Sequence, residues 1–363
     1  MTATTTPAFA QSVWLVAERE VGSKLRSKAF LISTGILLLI ALVSVVWGGF
    51  AAQSSDRIPV AVTPDTAQAV SGNELIEATQ AADADAAREL VRSGEVDAAL
   101  VPSDVQPFGF TIVADDSVPQ ALVSILSIAP TVELLNPGGT DGALRYFVAL
   151  GFGLVFFMAA LTFGSTIAQS VVEEKATRVV ELLISAIPVR ALLAGKVIGN
   201  TILAMGQILA LAAIAIVGFT VTGQSQVLAG LGAPIAWFAV FFLFGFILLA
   251  ALFAAAGAMV SRQEDIGSTT TPLTFLVMAP YLLVVFFNDN DLVMSVMSYV
   301  PFSAPVAMPV RIFLGTAQWW EPLLSLAVML ATCAAAIWVG SKIYENSILR
   351  MGARVKLSEA LAG

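Results

Sequence analysis

The sequence predicts an all-α polytopic membrane protein of about six transmembrane helices, with an inserted extracytoplasmic α/β domain. Three observations predict it. Of 363 residues, 58% are hydrophobic and only 12% charged, about half the charged share of a soluble chain, which is roughly 25%. The apolar residues fall into charge-free runs long enough to cross a bilayer. The acidic residues gather in one stretch between the first two of those runs.

The first run, Ala29–Phe50, holds no charge over 22 residues. As a helix it reaches roughly 33 Å at about 1.5 Å per residue, against a hydrocarbon core of about 30 Å. Further charge-free runs are Tyr146–Val172, Val197–Ser261, Ile266–Asn288 and Pro322–Ser341. The second of these is too long for one helix, and its Gly-, Gln- and Ser-rich portion Thr222–Pro234 reads as a turn. Spans are therefore expected near 29–50, 144–169, 197–220, 234–260, 268–288 and 321–341. The first reads as a retained signal-anchor, because its apolar core exceeds the roughly 7–15 residues of a cleaved signal.

Ahead of it, in residues 1–28, Phe9, Val13, Ala17, Val21 and Leu25 recur every four residues. Gln11, Ser12, Glu18, Arg19, Ser23, Lys24 and Arg26 fill the other side. This predicts an amphipathic helix in the inner interface, with Trp14 at headgroup level. Residues 51–142 hold 14 acidic and 3 basic residues, and the rest of the chain 12 and 15, so the net charge of −8 belongs to one segment. Within it, Ile58–Val62, Val96–Val101 and Phe108–Ala114 read as strands, Glu74–Arg92 and Val118–Ile128 as helices. Gly94 is the stop of the first of those helices. About 90 residues of mixed elements can bury a small core of their own.

Orientation follows from the bases. With the N-terminus inside, 13 of the 18 Lys/Arg lie in short inner segments, among them Arg19, Lys24, Lys175, Arg190, Arg262 and Lys342. Both termini are expected in the cytoplasm, and residues 51–142 outside. The lone cysteine, Cys333, lies in the last span and makes no intrachain disulfide.

Several chemistries are excluded. Without histidine, zinc-protease motifs, Ser-His-Asp hydrolysis and His-ligated haem are removed together. The only Gly-Lys pair, Gly195-Lys196, lacks the P-loop context, so any ATP would be handled by another chain. The spans carry almost no ionisable residue, which weighs against an ion-coupled secondary transporter. Their polar residues are neutral, and Thr166, Gln207, Thr270 and Thr274 are the candidates to line a path. The alternative for these is hydrogen bonding at helix packing seams.

The most informative segment is 171–196, between spans two and three. Glu173, Glu174, Lys175, Arg178 and Glu181 precede Pro188, then Arg190, Gly195 and Lys196. As one helix over Glu173–Ile184, it would place Glu174, Arg178 and Glu181 on one face, where they can pair. Pro188 would end it, and a short second helix would lead into span three. Such a segment is either a docking element that moves with a soluble partner or a solvated loop that anchors topology.

The chain resembles the membrane-spanning permeases of type-2 ATP-binding-cassette (ABC) exporters, and within them the bacterial sodium-efflux-type branch. Four stretches carry the likeness: Arg26–Leu31, Ser93–Pro102, Glu173–Lys196, and Val300–Arg311 with Trp319-Trp320-Glu321. The resemblance implies an ABC transporter permease of the bacterial plasma membrane, a homodimer in the lipid bilayer, with no nucleic-acid partner. It implies no enzymatic activity and no directly bound cofactor, ATP and Mg being held by a cytoplasmic ATPase subunit. Glu173, Glu174, Lys175, Arg178, Glu181, Pro188 and Lys196 would belong to the ATPase-coupling region. Arg262, Glu264 and Asp265 would form a second cytoplasmic contact. Pro301, Pro305, Pro309 and Arg311 would lie in an external, partly re-entrant element. No span carries a carboxylate in its interior, so the sodium of the branch name does not settle the substrate; drugs, peptides and lipids stand beside it. A secondary transporter, or a membrane-anchored sensor or assembly protein acting through residues 51–142, are the competing readings.

Overall fold

The computed structural model describes residues 8–53, 58–73, 75–103, 109–115, 120–126, 142–350, 352 and 355–362. Two compact units divide the chain: a helical one of Met1–Trp47 with Gly138–Gly363, and a smaller one of Gly48–Pro137. The helical unit opens with α1 (Phe9–Arg26) and α2 (Lys28–Gln53), separated by the extended Ser27. α1 buries only part of its predicted apolar repeat: Val13 and Ala17 are buried, together with Val16, while Phe9 and Leu25 of the same repeat face outward beside Trp14. Its buried face also takes in Ser12 and Glu20.

The smaller unit contains β1 (Ile58–Val62), α3 (Ala67–Val70), β2 (Ile76–Gln80), α4 (Ala84–Arg92), β3 (Ala98–Pro102), β4 (Phe110–Val113) and α5 (Gln120–Leu126). Its sheet runs β2-β1-β3-β4. β1 is parallel to both neighbours, and β4 is antiparallel to β3. Alternation along the strands builds a core on each face. Val60, Val62 and Leu100 pack with Ile76 and Leu122; Ala61, Ala99 and Val101 pack with Ala87 and Val91.

The helix expected over Glu74–Arg92 is corrected here. Glu74 lies outside the described residues, Ile76–Gln80 is a strand, and only Ala84–Arg92 is helical. The open edge of β1 offers this segment a full parallel ladder, and that tertiary pairing outweighs its Ala/Glu helix preference. Asp83 caps α4, its Oδ1 accepting from the Asp85 and Ala86 amides at 3.1 and 2.8 Å. Gly94, at φ +72°, ends it as expected. Of the strand expected at Phe108–Ala114, Phe108 lies outside the described residues, as do both ends of the helix expected at Val118–Ile128.

The helical unit resumes with α6 (Gly142–Ala176), α7 (Val179–Ala186), α8 (Val189–Val221), α9 (Ser225–Ala258) and α10 (Ile266–Phe286). α11 (Asp291–Met297), α12 (Ala304–Phe313), α13 (Glu321–Ser347) and α14 (Leu357–Ala362) complete it. Among the described residues six helices are long and apolar enough to cross a membrane: α2, α6, α8, α9, α10 and α13. Two boundaries move. The turn between the third and fourth is only Thr222–Gln224, with Gly223 at φ +70°, and Pro234 sits inside α9. Intramembrane helices tolerate proline where neighbours re-satisfy the freed carbonyl. α8 starts at Val189 and runs unbroken through Gly195 into the span, so the short second helix expected after Pro188 is not separate from it.

α9 is the most buried span and packs against α6, α8, α12 and α13. An aromatic ladder joins it to α6: Phe152 to Phe238 at 4.8 Å, Phe156 to Phe242 at 5.9 Å, Phe163 to Phe246 at 5.9 Å between ring centroids. Such pairs contribute about 0.5–1.5 kcal/mol each beyond area burial. In lipid this directional packing replaces the hydrophobic drive that water would supply.

Candidate functional site

The predicted coupling segment lies where α6, α8, α9 and α13 end or begin, and its local structure departs from expectation. α6 runs through Glu173, Glu174 and Lys175, stops at Thr177, and the chain reverses through Arg178 at φ 59°. The continuous helix Glu173–Ile184 is therefore not formed. Glu174, Arg178 and Glu181 do not share a helical face, and neither Arg178 nor Glu181 makes an ion pair among the described residues. A left-handed non-glycine residue costs roughly 1–2 kcal/mol. Running straight on would carry Val180, Leu183 and Ile184 away from the bundle. The reversal instead buries Val180 completely and packs the other two against the core, and full burial of such a side chain is worth about 1.5–3 kcal/mol.

The charged residues pair elsewhere. Lys196, on α8, is fully buried and donates to Glu20 Oε1 at 2.9 Å and Ser170 Oγ at 2.7 Å. Its Nζ also lies 3.0 Å from Glu174 Oε2, off the hydrogen-bond direction, so that contact is ionic. Arg19 closes the cluster onto the other oxygen of Glu174. Three helices, α1, α6 and α8, thus meet in one network. Burial pushes the Glu20 carboxyl up, but Lys196 and then Arg19 outweigh it and hold it below its ordinary value. Burial also lowers the Lys24 ammonium nearby.

The approach of α1 to α8 depends on two glycines. A Cβ at Gly195 would stand 2.4 Å from Val16 Cβ, and one at Gly199 would stand 2.9 Å from the Ala17 carbonyl oxygen. The i, i+4 spacing of small residues is the sequence signal that could have revealed this seam. Reading α1 as an interfacial helix alone missed Glu20 and Ser170 as partners of Lys196.

Lys175 meets different helices from Glu174. It is fully buried and donates to the carbonyls of Ala258 and Ser347, at 2.7 and 2.9 Å. Arg190 pairs with Glu345, joining the first turn of α8 to the last of α13. Pro188 is exposed and serves as the N-cap residue of α8. On α7, Glu181 is exposed and Leu182 is 73% exposed.

The remaining predicted residues separate. Gln263–Asp265 forms one 3-10 turn, with Arg262 paired to Glu264 at 3.4 Å. Thr166, Thr270 and Thr274 bond to carbonyls of their own helices. Among the described residues no hydrogen bond joins these three and Gln207 to one another. The proline-rich stretch is a turn followed by one short helix. Pro301 lies in the turn between α11 and α12, while Pro305 and Pro309 lie in the buried α12. Arg311, 5% exposed, donates to Ser298 Oγ and Glu321 Oε2, both at 2.8 Å, and Tyr299 donates to Glu321 at 3.0 Å. This knot ties α11 and α12 to the start of α13.

Comparison with known proteins completes the picture. The sequence profile described as ABC-2 family transporter protein matches residues 28–342. An uncharacterized protein of Bacillus subtilis, YhaP, is 27% identical over 256 residues, covering 66% of this chain and 61% of its own length. An uncharacterized protein of Methanocaldococcus jannaschii is 23% identical over 209 residues, 57% of this chain and 51% of its own length. The chain thus spans less than two thirds of either relative. With six apolar spans among the described residues, four of them (α6, α8, α10 and α13) packed against α9, and a family profile running from α2 into α13, the chain belongs to the ABC-2 family transporter proteins and is a multi-pass membrane permease.

Proposed function

We propose that this permease is the membrane-spanning subunit of an ATP-driven exporter, working as a homodimer and driven by a separate cytoplasmic ATPase that docks on α7. The observation that carries the reading is the placement of α7. Only Thr177–Arg178 and Ile187–Pro188 connect it to two spans, its Val180 is buried in the bundle, and its Leu182 and Glu181 face outward. A partner pressing on that outward face acts on both spans with no flexible linker between. The exposed Arg262 and Glu264, with the half-buried Asp265, supply a second, smaller contact. ATP and Mg belong to the partner, since this chain carries no phosphate-cradling loop, and the chain itself is no enzyme. The basic residues favour cytoplasmic termini and α7 on the inner side of the bacterial plasma membrane, with the acidic α/β unit outside. In that orientation α12 and the Arg311 knot form the external re-entrant element.

The test is capture of a co-expressed ABC ATPase subunit from the same genome by the tagged permease. Leu182→Asp and Glu181→Lys should each weaken capture tenfold or more, as loss of a desolvated interface contact costs about 2–5 kcal/mol. Both variants should remain monodisperse. Capture at the wild-type level by both would end the docking assignment, as would ATP hydrolysis by the purified chain alone.

A further inference from the structure

Adjacent residues on the last turn of α6 do different work. Glu174 engages α1 and α8 through Arg19 and Lys196. Lys175 has no carboxylate within ion-pair distance among the described residues, although its side chain is wholly buried. An isolated ammonium in such a place is strongly disfavoured, so something must balance it. Its two acceptors are the carbonyls of Ala258 and Ser347, the last residues of α9 and α13. Carbonyls at helix C-termini lack intrahelical partners, and each helix end carries roughly half a negative charge. Two ends converging on one ammonium supply about one full charge. The cation is balanced by the ends of two spans.

The same three helices have no room to slide. A Cβ at Gly257 would stand 2.7 Å from the Ala168 carbonyl oxygen, so α6 and α9 touch backbone to backbone, two turns before Lys175. A Cβ at Gly340 would stand 3.1 Å from the Ala251 carbonyl oxygen, bringing α9 and α13 together as well. Past the end of α9, the Val355 amide donates to Met259 at 2.9 Å and fastens the C-terminal segment to the same place.

We propose that Lys175 is a positioning residue that rivets the last turn of α6 to the ends of α9 and α13, so that α6, α7, α9 and α13 move as one body. This rests on the reading of α7 as the docking helix, and deepens it by naming what a push on α7 carries with it. Close packing alone would hold the helices at rest. The charged rivet is what keeps their ends together when one of them is displaced.

The experiment places spin labels at Leu182→Cys on α7 and Leu349→Cys just beyond α13, both exposed, in a Cys333→Ala background. Pulsed electron-spin resonance reads their separation in nanodiscs, with and without the ATPase and ATP. The unsubstituted Lys175 should give one narrow separation that ATP binding leaves unchanged. Lys175→Met should broaden it and make it shift with ATP, and Lys175→Arg should restore it. A separation that shifts with ATP while Lys175 is intact overturns the proposal, and decides it even if Lys175→Met does not fold. So does a folded Lys175→Met that behaves as the parent. Failure of the ATPase to bind would count against the docking reading alone. The label pair in the isolated permease would still test the rivet, as a narrow distribution with Lys175 and a broad one with Met.

Discussion

Replacing Lys196 by Met isolates the energetics of the α1–α6–α8 cluster. Met keeps most of the aliphatic length and removes a wholly buried ammonium that lies 2.9 Å from Glu20 and 3.0 Å from Glu174. At those separations each pair has a gross attraction of roughly 5–6 kcal/mol at an effective dielectric constant near 20. Desolvation of the ions offsets much of this, and breaking a buried pair costs about 3–5 kcal/mol because the other charge is left uncompensated. The single variant should therefore lose about 3–5 kcal/mol in reversible unfolding by a denaturing detergent. The triple variant Lys196→Met, Glu20→Gln, Glu174→Gln should lose less than the single one, since no buried carboxylate remains unpaired. The pH dependence should change sign. In the wild type Glu20 is held below its ordinary 4.5, so its contribution is present above that value and fades as pH falls through the lower folded value. Without Lys196, burial raises this carboxyl, the neutral form is favoured in the folded state, and Lys196→Met should gain stability on acidification. A cysteine at the buried Ser12, in a Cys333→Ala background, should also become reactive as α1 lifts from α8. A triple variant whose loss equals the sum of the single ones, or a Lys196→Met that is destabilised by acid as the wild type is, would refute this account of the cluster.

Two further outcomes follow from the same geometry. A cysteine at Asp85 or Asp97, in a Cys333→Ala background, should react with a membrane-impermeant maleimide in intact spheroplasts; labelling only after lysis would reverse the proposed topology. Arg311→Met should destabilise the protein by about 3–5 kcal/mol, because Glu321 would keep its buried carboxylate with only Tyr299 and the Gln318 amide as donors. Arg311→Met with Glu321→Gln should recover part of that loss, which differential scanning in detergent would register as a partial return of the transition temperature.

The spans and the separate acidic α/β unit were legible in the sequence for one reason. A bilayer forbids unpaired charge over some twenty residues at a stretch, so composition alone marks where the chain crosses and where it cannot. Local signals with local causes were legible too: Asp83 and Gly94 bound α4 because capping and left-handed turns are decided within a few residues. Pairings between distant segments were not. Charge spacing brought Glu174 toward Arg178, four residues away, whereas the folded chain pairs it with Arg19 and Lys196. Ile76–Gln80 looks helical until β1 offers it an edge. Lys175 reads as one more surface base until the ends of α9 and α13 converge on it. In each case the deciding energy comes from a partner far away in sequence, and that partner is present only once the helices have packed.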